Sequence, residues 1–301
     1  MAAPASRQET AHTADELIAD AAKAISRSPA IDHWLPAMAR YDAEELMSAA
    51  LDSTLSDALR KQIVAPDRRR RFDRMVARRI AGEPVAKIIG RITFRGLELR
   101  VRRDVFGPRY SSEFLAGEAI TMLRRKRRSP IAVDVATGSG PVALAVAHEV
   151  PHAEVWGVDI SPDAIRLCRQ NARRLGVNNV HFRVSDMLDG LPSRLCGAVD
   201  VFTIHPPYVA RGEVRTLPRE IRDFEPAHSL TDGSNDGLGL VRLLASAAPQ
   251  WLSPGGAVLV EIGTYLSRST QAVLRRAGLT DVSWKRDSLG VTRLVSGRAP
   301  R

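Results

Sequence analysis

The chain has 301 residues, 44% of them hydrophobic, enough to bury one α/β core and still carry a smaller accessory domain. It contains no apolar run of about eighteen residues and no charged-then-apolar leader, so neither a membrane span nor export is expected, and the cytoplasm is the expected location. The net charge of +10 is regional. Residues 1–59 hold 4 Lys/Arg against 10 Asp/Glu, a balance of −6, whereas residues 60–130 hold 21 against 7, or +14. Such a field can steer an acidic protein, a ribosomal particle or nucleic acid, or it can be no more than a solvated helix face. The two cysteines, Cys168 and Cys196, lack C-x-x-C or histidine spacing, so reduced thiols and no metal site are expected.

Residues 1–14 are small and polar with little to bury, and a mobile tail is expected there. Over residues 15–81 apolar side chains recur at helical spacing: Leu17, Ile18, Ala21 and Ala24, then Leu46 and Leu51, then Phe72, Met75, Val76 and Ile80. Pro29 and Pro66 separate these helices, which predicts a small helical domain. Arg68–Arg71, with Arg74, Arg78 and Arg79, spans more than one helical turn, so its charges point in several directions. No aromatic platform is interleaved with them, and single-stranded nucleic acid is not an expected substrate.

The period changes to two between Ile88 and Val101. Ile92, Phe94, Leu97, Leu99 and Val101 alternate with polar residues across Arg95-Gly96, which predicts a hairpin within a linker over 82–110. From there to residue 301, apolar runs alternate with amphipathic stretches. Strands are predicted at Ile131–Val135, Val155–Val158, Val180–Val184, Val199–Ile204 and Ala257–Ile262, forming an α/β, doubly wound parallel sheet over 111–301. Segments around Val282–Trp284 and Val291–Val295 are expected to pair antiparallel at its edge.

Asp134-Val135-Ala136-Thr137-Gly138-Ser139-Gly140 turns from the first of these strands into a helix begun by Pro141. Gly138 and Gly140 carry no Cβ to obstruct a ligand at the backbone. The third glycine of a nicotinamide fingerprint is missing near Ala143, so the loop suits S-adenosylmethionine better than NAD, with a ligand-free turn as the bland alternative. Asp159, closing the second strand, can accept two ribose hydroxyls or cap the next helix, a task Ser161 already fills. Asp186 can meet an adenine amino group, with Met187 on the ring, or only stabilise its turn.

His205-Pro206-Pro207-Tyr208 follows the fourth strand. A proline-stiffened corner of this kind can present an aromatic face and carbonyls to a planar nitrogen-bearing substrate. His205 can serve as hydrogen-bond acceptor, as base or as a buried structural residue, and Tyr208 can stack on the acceptor or pack in the core.

Taken in order, Arg78-Arg79-Ile80-Ala81-Gly82-Glu83-Pro84, Gly107-Pro108-Arg109 with Glu113, the glycine loop, Asp159, His205–Tyr208, Phe224-Glu225-Pro226-Ala227, Asp236-Gly237-Leu238, Pro254-Gly255-Gly256, Glu261-Ile262-Gly263, and Gly290 with Arg293 resemble the HemK-like protein-glutamine N5-methyltransferases. The resemblance implies a class I methyltransferase fold, a helical amino domain that recognises substrate and a hairpin linker. It assigns S-adenosylmethionine to Ala136, Thr137, Gly138, Ser139, Gly140, Asp159 and Met187, beside Asp186 and His205. It assigns the methyl acceptor to His205, Pro206, Pro207 and Tyr208, with His205 and Tyr208 in catalytic positions. The acceptor it implies is a glutamine of a peptide-chain release factor. Two departures stand out: histidine replaces the first asparagine of the family's Asn-Pro-Pro-Tyr, and Tyr110-Ser111-Ser112-Glu113 replaces its Pro-Glu-Thr-Glu. A small amino-acid-like substrate is the alternative these departures leave open, and a non-catalytic protein that holds RNA through the basic middle region is a further one.

Overall fold

The computed structural model describes residues 11–32, 37–126 and 129–301. It divides into two compact units: the described residues up to Ile89 together with Pro218–Phe224, and Gly90–Leu217 together with Glu225–Arg301.

The first unit is helical, with helices at Ala14–Ser26, Met38–Leu51, Asp57–Arg60, Pro66–Ile80 and Val85–Ile89. Thr13 and Glu16 form a reciprocal capping box that satisfies backbone donors at the first helix start. The expected tail over 1–14 is therefore too long at its inner end, since Ala14 is helical and fully buried; residues 1–10 of that expectation lie outside the described residues. Leu17, Ile18, Ile25, Leu46, Met47, Phe72, Val76 and Ile88 form one core, each worth about 1.5–3 kcal/mol of apolar burial.

The helical unit runs past the expected boundary at residue 81 and recaptures a distant segment. Arg79 is buried and donates to Asp42 Oδ2 at 2.7 Å and to Glu220 Oε2 at 3.0 Å. Lys87 Nζ donates to the Phe224 carbonyl at 2.6 Å. Most of the basic run is likewise engaged: Arg68 and Arg71 pair with Asp52, Arg69 with Asp73, and Arg78 with the buried Glu83.

In the second unit, β1 (Arg91–Phe94) and β2 (Leu97–Arg100) form the hairpin, in register Phe94↔Leu97, with Arg95 and Gly96 both at positive φ as a two-residue turn requires. The hairpin is not a free linker. Phe94, Leu97 and Leu99 pack into the same core as Leu115, Ile120 and Val146, because four-residue strands cannot be stable without an apolar face to cover.

The main sheet contains β3 (Ile131–Val135), β4 (Glu154–Asp159), β5 (Val180–Val184), β6 (Val199–Ile204), β7 (Leu252–Glu261), β8 (Thr280–Arg286) and β9 (Thr292–Arg298). Their order is β5-β4-β3-β6-β7-β9-β8. The first five are parallel, while β9 runs antiparallel to both β7 and β8. Helices Ser112–Leu123, Pro141–Glu149 and Pro162–Leu175 bury one face, and Gly239–Trp251 and Ser267–Arg276 bury the other. Ala132 and Val133 turn to opposite layers, as the period of two dictates.

Replacing Arg79 by methionine takes the guanidinium away from the buried Asp42 carboxylate and from Glu220. We expect a loss of about 3–5 kcal/mol from the first unit, read by urea unfolding, with partial recovery in an Arg79→Met/Asp42→Asn double variant.

Candidate functional site

The sheet order reverses between β3 and β6. The chain leaves β3 toward β4 and leaves β6 toward β7 on the other side, so a crevice opens beyond the carboxyl ends of these two strands. Val135 and Ile204 stand in register, which brings the glycine loop and the His205 corner side by side although they are 65 residues apart in the chain.

Asp134, fully enclosed, ties the two strands together. One carboxyl oxygen accepts the Thr137 hydroxyl at 2.6 Å and the other accepts the Thr203 hydroxyl at 2.7 Å. Burial pushes this carboxyl up to about 6, with the two hydroxyls opposing the rise. Asp159 closes the loop from the neighbouring strand by accepting the Gly138 N–H at 2.8 Å and the Ser161 N–H at 2.9 Å. Burial raises its carboxyl, against the pull of those two N–H groups. Ser161 itself caps the following helix by accepting the Ala164 N–H.

A half-open cleft results at this point. Ala136, Gly138, Asp159, Asp186, Met187, His205, Pro206 and Pro207 all line it. Thr137, Ser139, Gly140 and Tyr208, also singled out from the sequence, are not among the lining residues. Thr137 spends its hydroxyl on Asp134, Ser139 is 1% exposed, and Gly140 starts a helix with its α-carbon backed by Cys168. Gly138 has φ of +57° and lies on the cleft, where a Cβ would project toward the Phe106 carbonyl 3.9 Å away. Cys168, its thiol driven well upward by burial, donates to the Gly138 carbonyl and so serves the loop's shape.

The opposite wall comes from residues that sequence reasoning gave no site role. Asp104, Val105 and Phe106 line the cleft, and Glu225 holds their loop by accepting the Gly107 N–H at 3.2 Å and the Arg109 guanidinium at 2.9 Å. Arg109 in turn lies over the Phe106 ring at 4.6 Å. Gly107-Pro108-Arg109 and Phe224-Glu225-Pro226-Ala227 were both visible as motifs, but nothing local signals that they touch.

At the corner, Tyr208 stacks on His205 with ring centroids 5.7 Å apart, so one face of each ring is covered by the other. Tyr208 is also partly buried against the core below the sheet. Phe106 meets the His205 ring edge-on at 5.8 Å. His205 Nδ1 lies 3.2 Å from Ser112 Oγ and 3.6 Å from Glu261 Oε2. Burial lowers the imidazole below the ordinary histidine value; Glu261 opposes this, while Arg109 and Arg293 add to it. The corner is fixed from behind, where Asp232 donates to the Pro207 carbonyl at 3.2 Å and Tyr208 bridges Thr231. Gly237, at φ +67°, allows this packing, since a Cβ there would stand 1.9 Å from the Tyr208 carbonyl oxygen.

A family model for a methyltransferase domain matches residues 129–226, and one for the PrmC N-terminal domain matches residues 36–90. A release factor glutamine methyltransferase of Geobacter sulfurreducens is 35% identical over 262 residues, covering 86% of this chain and 89% of that protein. One of Streptomyces coelicolor is 39% identical over 246 residues, covering 81% and 84%. Among solved structures, a T. thermophilus 16S rRNA methyltransferase in complex with AdoMet and guanosine aligns with a TM-score of 0.50 at 16% identity, covering 69% of this chain and 49% of that one.

The raised Asp134 pKa has a sign that can be measured. The folded chain holds this proton more tightly than the unfolded chain does, so the stabilisation is complete below about pH 4 and is lost as pH rises through about 6. We expect the second unit to lose up to about 3 kcal/mol over that window, and Asp134→Asn to remove the slope in urea unfolding followed against pH.

Proposed function

The chain belongs to the release factor glutamine methyltransferase family, an S-adenosylmethionine-dependent methyltransferase of the class I fold, and we propose from this premise that it methylates the side-chain amide nitrogen of a glutamine in a peptide-chain release factor. The observation that carries this reading is the shared cleft: a glycine turn and a Pro-Pro corner open onto it from adjacent strands. An acceptor of that kind acts in translation, so we assign the protein to the cytoplasm.

The residues present fit the cofactor. Gly138 lines the cleft at a φ of +57°, a conformation that L side chains rarely adopt, and so keeps that stretch of backbone bare for a ligand. Each Asp159 oxygen already accepts one N–H and keeps a lone pair for a ribose hydroxyl. Val105, Ile160, Met187 and Leu240 supply apolar walls for a purine, with Asp186 beside them for its amino group. When bound, S-adenosylmethionine supplies an electrophilic methyl group and leaves as S-adenosylhomocysteine.

An amide nitrogen is a weak nucleophile because its lone pair is shared with the carbonyl. The protein's task is therefore to hold that nitrogen with both N–H bonds accepted, which orients it and favours the charge that develops. His205 and a carbonyl of the Pro206-Pro207 pair are the two acceptors in this reading, with the Pro207 carbonyl held in place by the Asp232 N–H. Tyr208 and Phe106 hold the imidazole plane between them.

The test is incubation with labelled S-adenosylmethionine and, in separate reactions, a release factor and a panel of free amino acids. Label on a glutamine of the release factor is the expected result, while label on a free amino acid alone would replace the proposed acceptor. Asp159→Ala should weaken S-adenosylhomocysteine binding about 10- to 100-fold in calorimetry, the loss of two hydrogen bonds to a charged group and of the loop they shape.

A further inference from the structure

Glu261 sits at the end of β7, 3% exposed, and its Oε2 is buried with no hydrogen-bond partner among the described residues. A buried carboxylate oxygen left without a donor is costly, so its place beside an imidazole calls for an explanation. The nearest polar neighbour recorded for it is His205 Nδ1 at 3.6 Å, and Ser112 Oγ approaches the same nitrogen at 3.2 Å. Ser112 and His205 also belong to the two segments in which this chain departs from the family pattern, and here those segments touch.

The two neutral tautomers of His205 differ sharply in this setting. With the proton on Nδ1, the N–H points toward the Ser112 hydroxyl oxygen and the Glu261 carboxylate, and the carboxylate gains a donor after a small ring rotation. With the proton on Nε2, Nδ1 can accept the Ser112 hydroxyl, but its lone pair then faces the buried Glu261 carboxylate, whose Oε2 stays without a donor. We infer that Glu261, assisted by Ser112, is a positioning residue that holds His205 as its Nδ1–H tautomer, so that the Nε2 lone pair takes the proton from the amide nitrogen during methyl transfer. This rests on the amide-methylation reading above. It also gives histidine a capacity that an asparagine oxygen lacks.

The step balances. The N–C bond forms as the S–C bond breaks, sulfur keeps the bonding pair, and one amide proton passes to Nε2. The resulting imidazolium faces the Glu261 carboxylate and returns its proton to solvent on product release. The logic is that of a carboxylate orienting a histidine base, where the carboxylate fixes the tautomer and does not itself take the proton. The other charged or titratable groups around the ring are Arg109 from the loop before the Ser112–Leu123 helix, Arg293 from β9 and the Tyr208 phenol. Burial foremost, and then the two arginines, favour the neutral ring, against the pull of Glu261.

Nitrogen-15 spectra of imidazole-labelled protein, with no acceptor present, read the tautomer directly. We expect Nδ1 of His205 to carry the proton, and a protonated Nε2 with a bare Nδ1 would overturn the inference. In turnover, kcat should rise with pH to a plateau whose midpoint lies below the ordinary histidine value. Glu261→Gln should lower kcat about 10- to 100-fold with little change in KM, and should move that midpoint further down. His205→Asn should still methylate, at a rate that no longer follows that titration, and adding Glu261→Gln to it should cost little more. Equal losses from Glu261→Gln in both backgrounds would show a merely structural carboxylate and sink the proposal. If the release factor is not methylated at all, the function proposed above fails, while the nitrogen-15 result still decides the tautomer.

Discussion

The parallel pairing of β3 with β6 is the constraint on which the rest of the molecule depends. Parallel neighbours cannot be joined by a tight turn, and at this pair, where the strand order reverses, the chain departs in opposite directions and leaves a crevice that helices on either face do not fill. The buried Asp134 carboxyl, shared between Thr137 on the loop and Thr203 on β6, fastens the strands at that point. The tie has a cost, since burial pushes the carboxyl up to about 6. A fully apolar residue would avoid that cost, but it could not hold the loop hydroxyl and the neighbouring strand at once.

A second layer of buried polar groups shapes the walls of the cleft. Glu225 gathers the Gly107 amide and the Arg109 guanidinium, Asp159 gathers two amides, and Asp232 backs the proline corner. Glu225 and Asp159 satisfy with their side chains backbone donors that a loop would otherwise leave bare, and Asp232 does so for Ser234 and Leu240 while its own N–H holds the Pro207 carbonyl. Glu261 breaks the pattern, because one of its oxygens has no such donor while an imidazole stands beside it. The same rule of satisfaction that explains the walls therefore singles out this carboxylate.

The basic middle of the chain takes on a different meaning once folded. Arg68, Arg69, Arg71, Arg78 and Arg79 each meet an acidic partner within the helical unit, and Arg79 does so while buried. Charge that reads along the chain as a patch for a polyanion is in large part internal wiring, and the acidic excess of residues 1–59 supplies Asp42 and Asp52 to it.

Much of the architecture was legible without coordinates, because the signals are local. Ile131–Val135 and Val199–Ile204 are strands because both faces are covered and their apolar runs are short, and Val180–Val184 is an edge strand that buries Phe182 and leaves its polar neighbours to solvent; the Arg95-Gly96 turn follows from two residues that reach positive φ; Gly138 and the Pro-Pro pair mark backbone positions no other residue types would fill as readily. What the sequence by itself determined was thus the elements, the order in which they follow, and the chemistry carried at the ends of two strands. Tertiary structure alone decided that Ser112 and Glu261 meet His205, that Glu225 reaches Gly107 and Arg109, that the hairpin packs with the sheet, and that Pro218–Phe224 returns to the helices. Those contacts span roughly fifty to two hundred residues of chain, and their energy comes from burial and hydrogen-bond satisfaction, which no periodicity records.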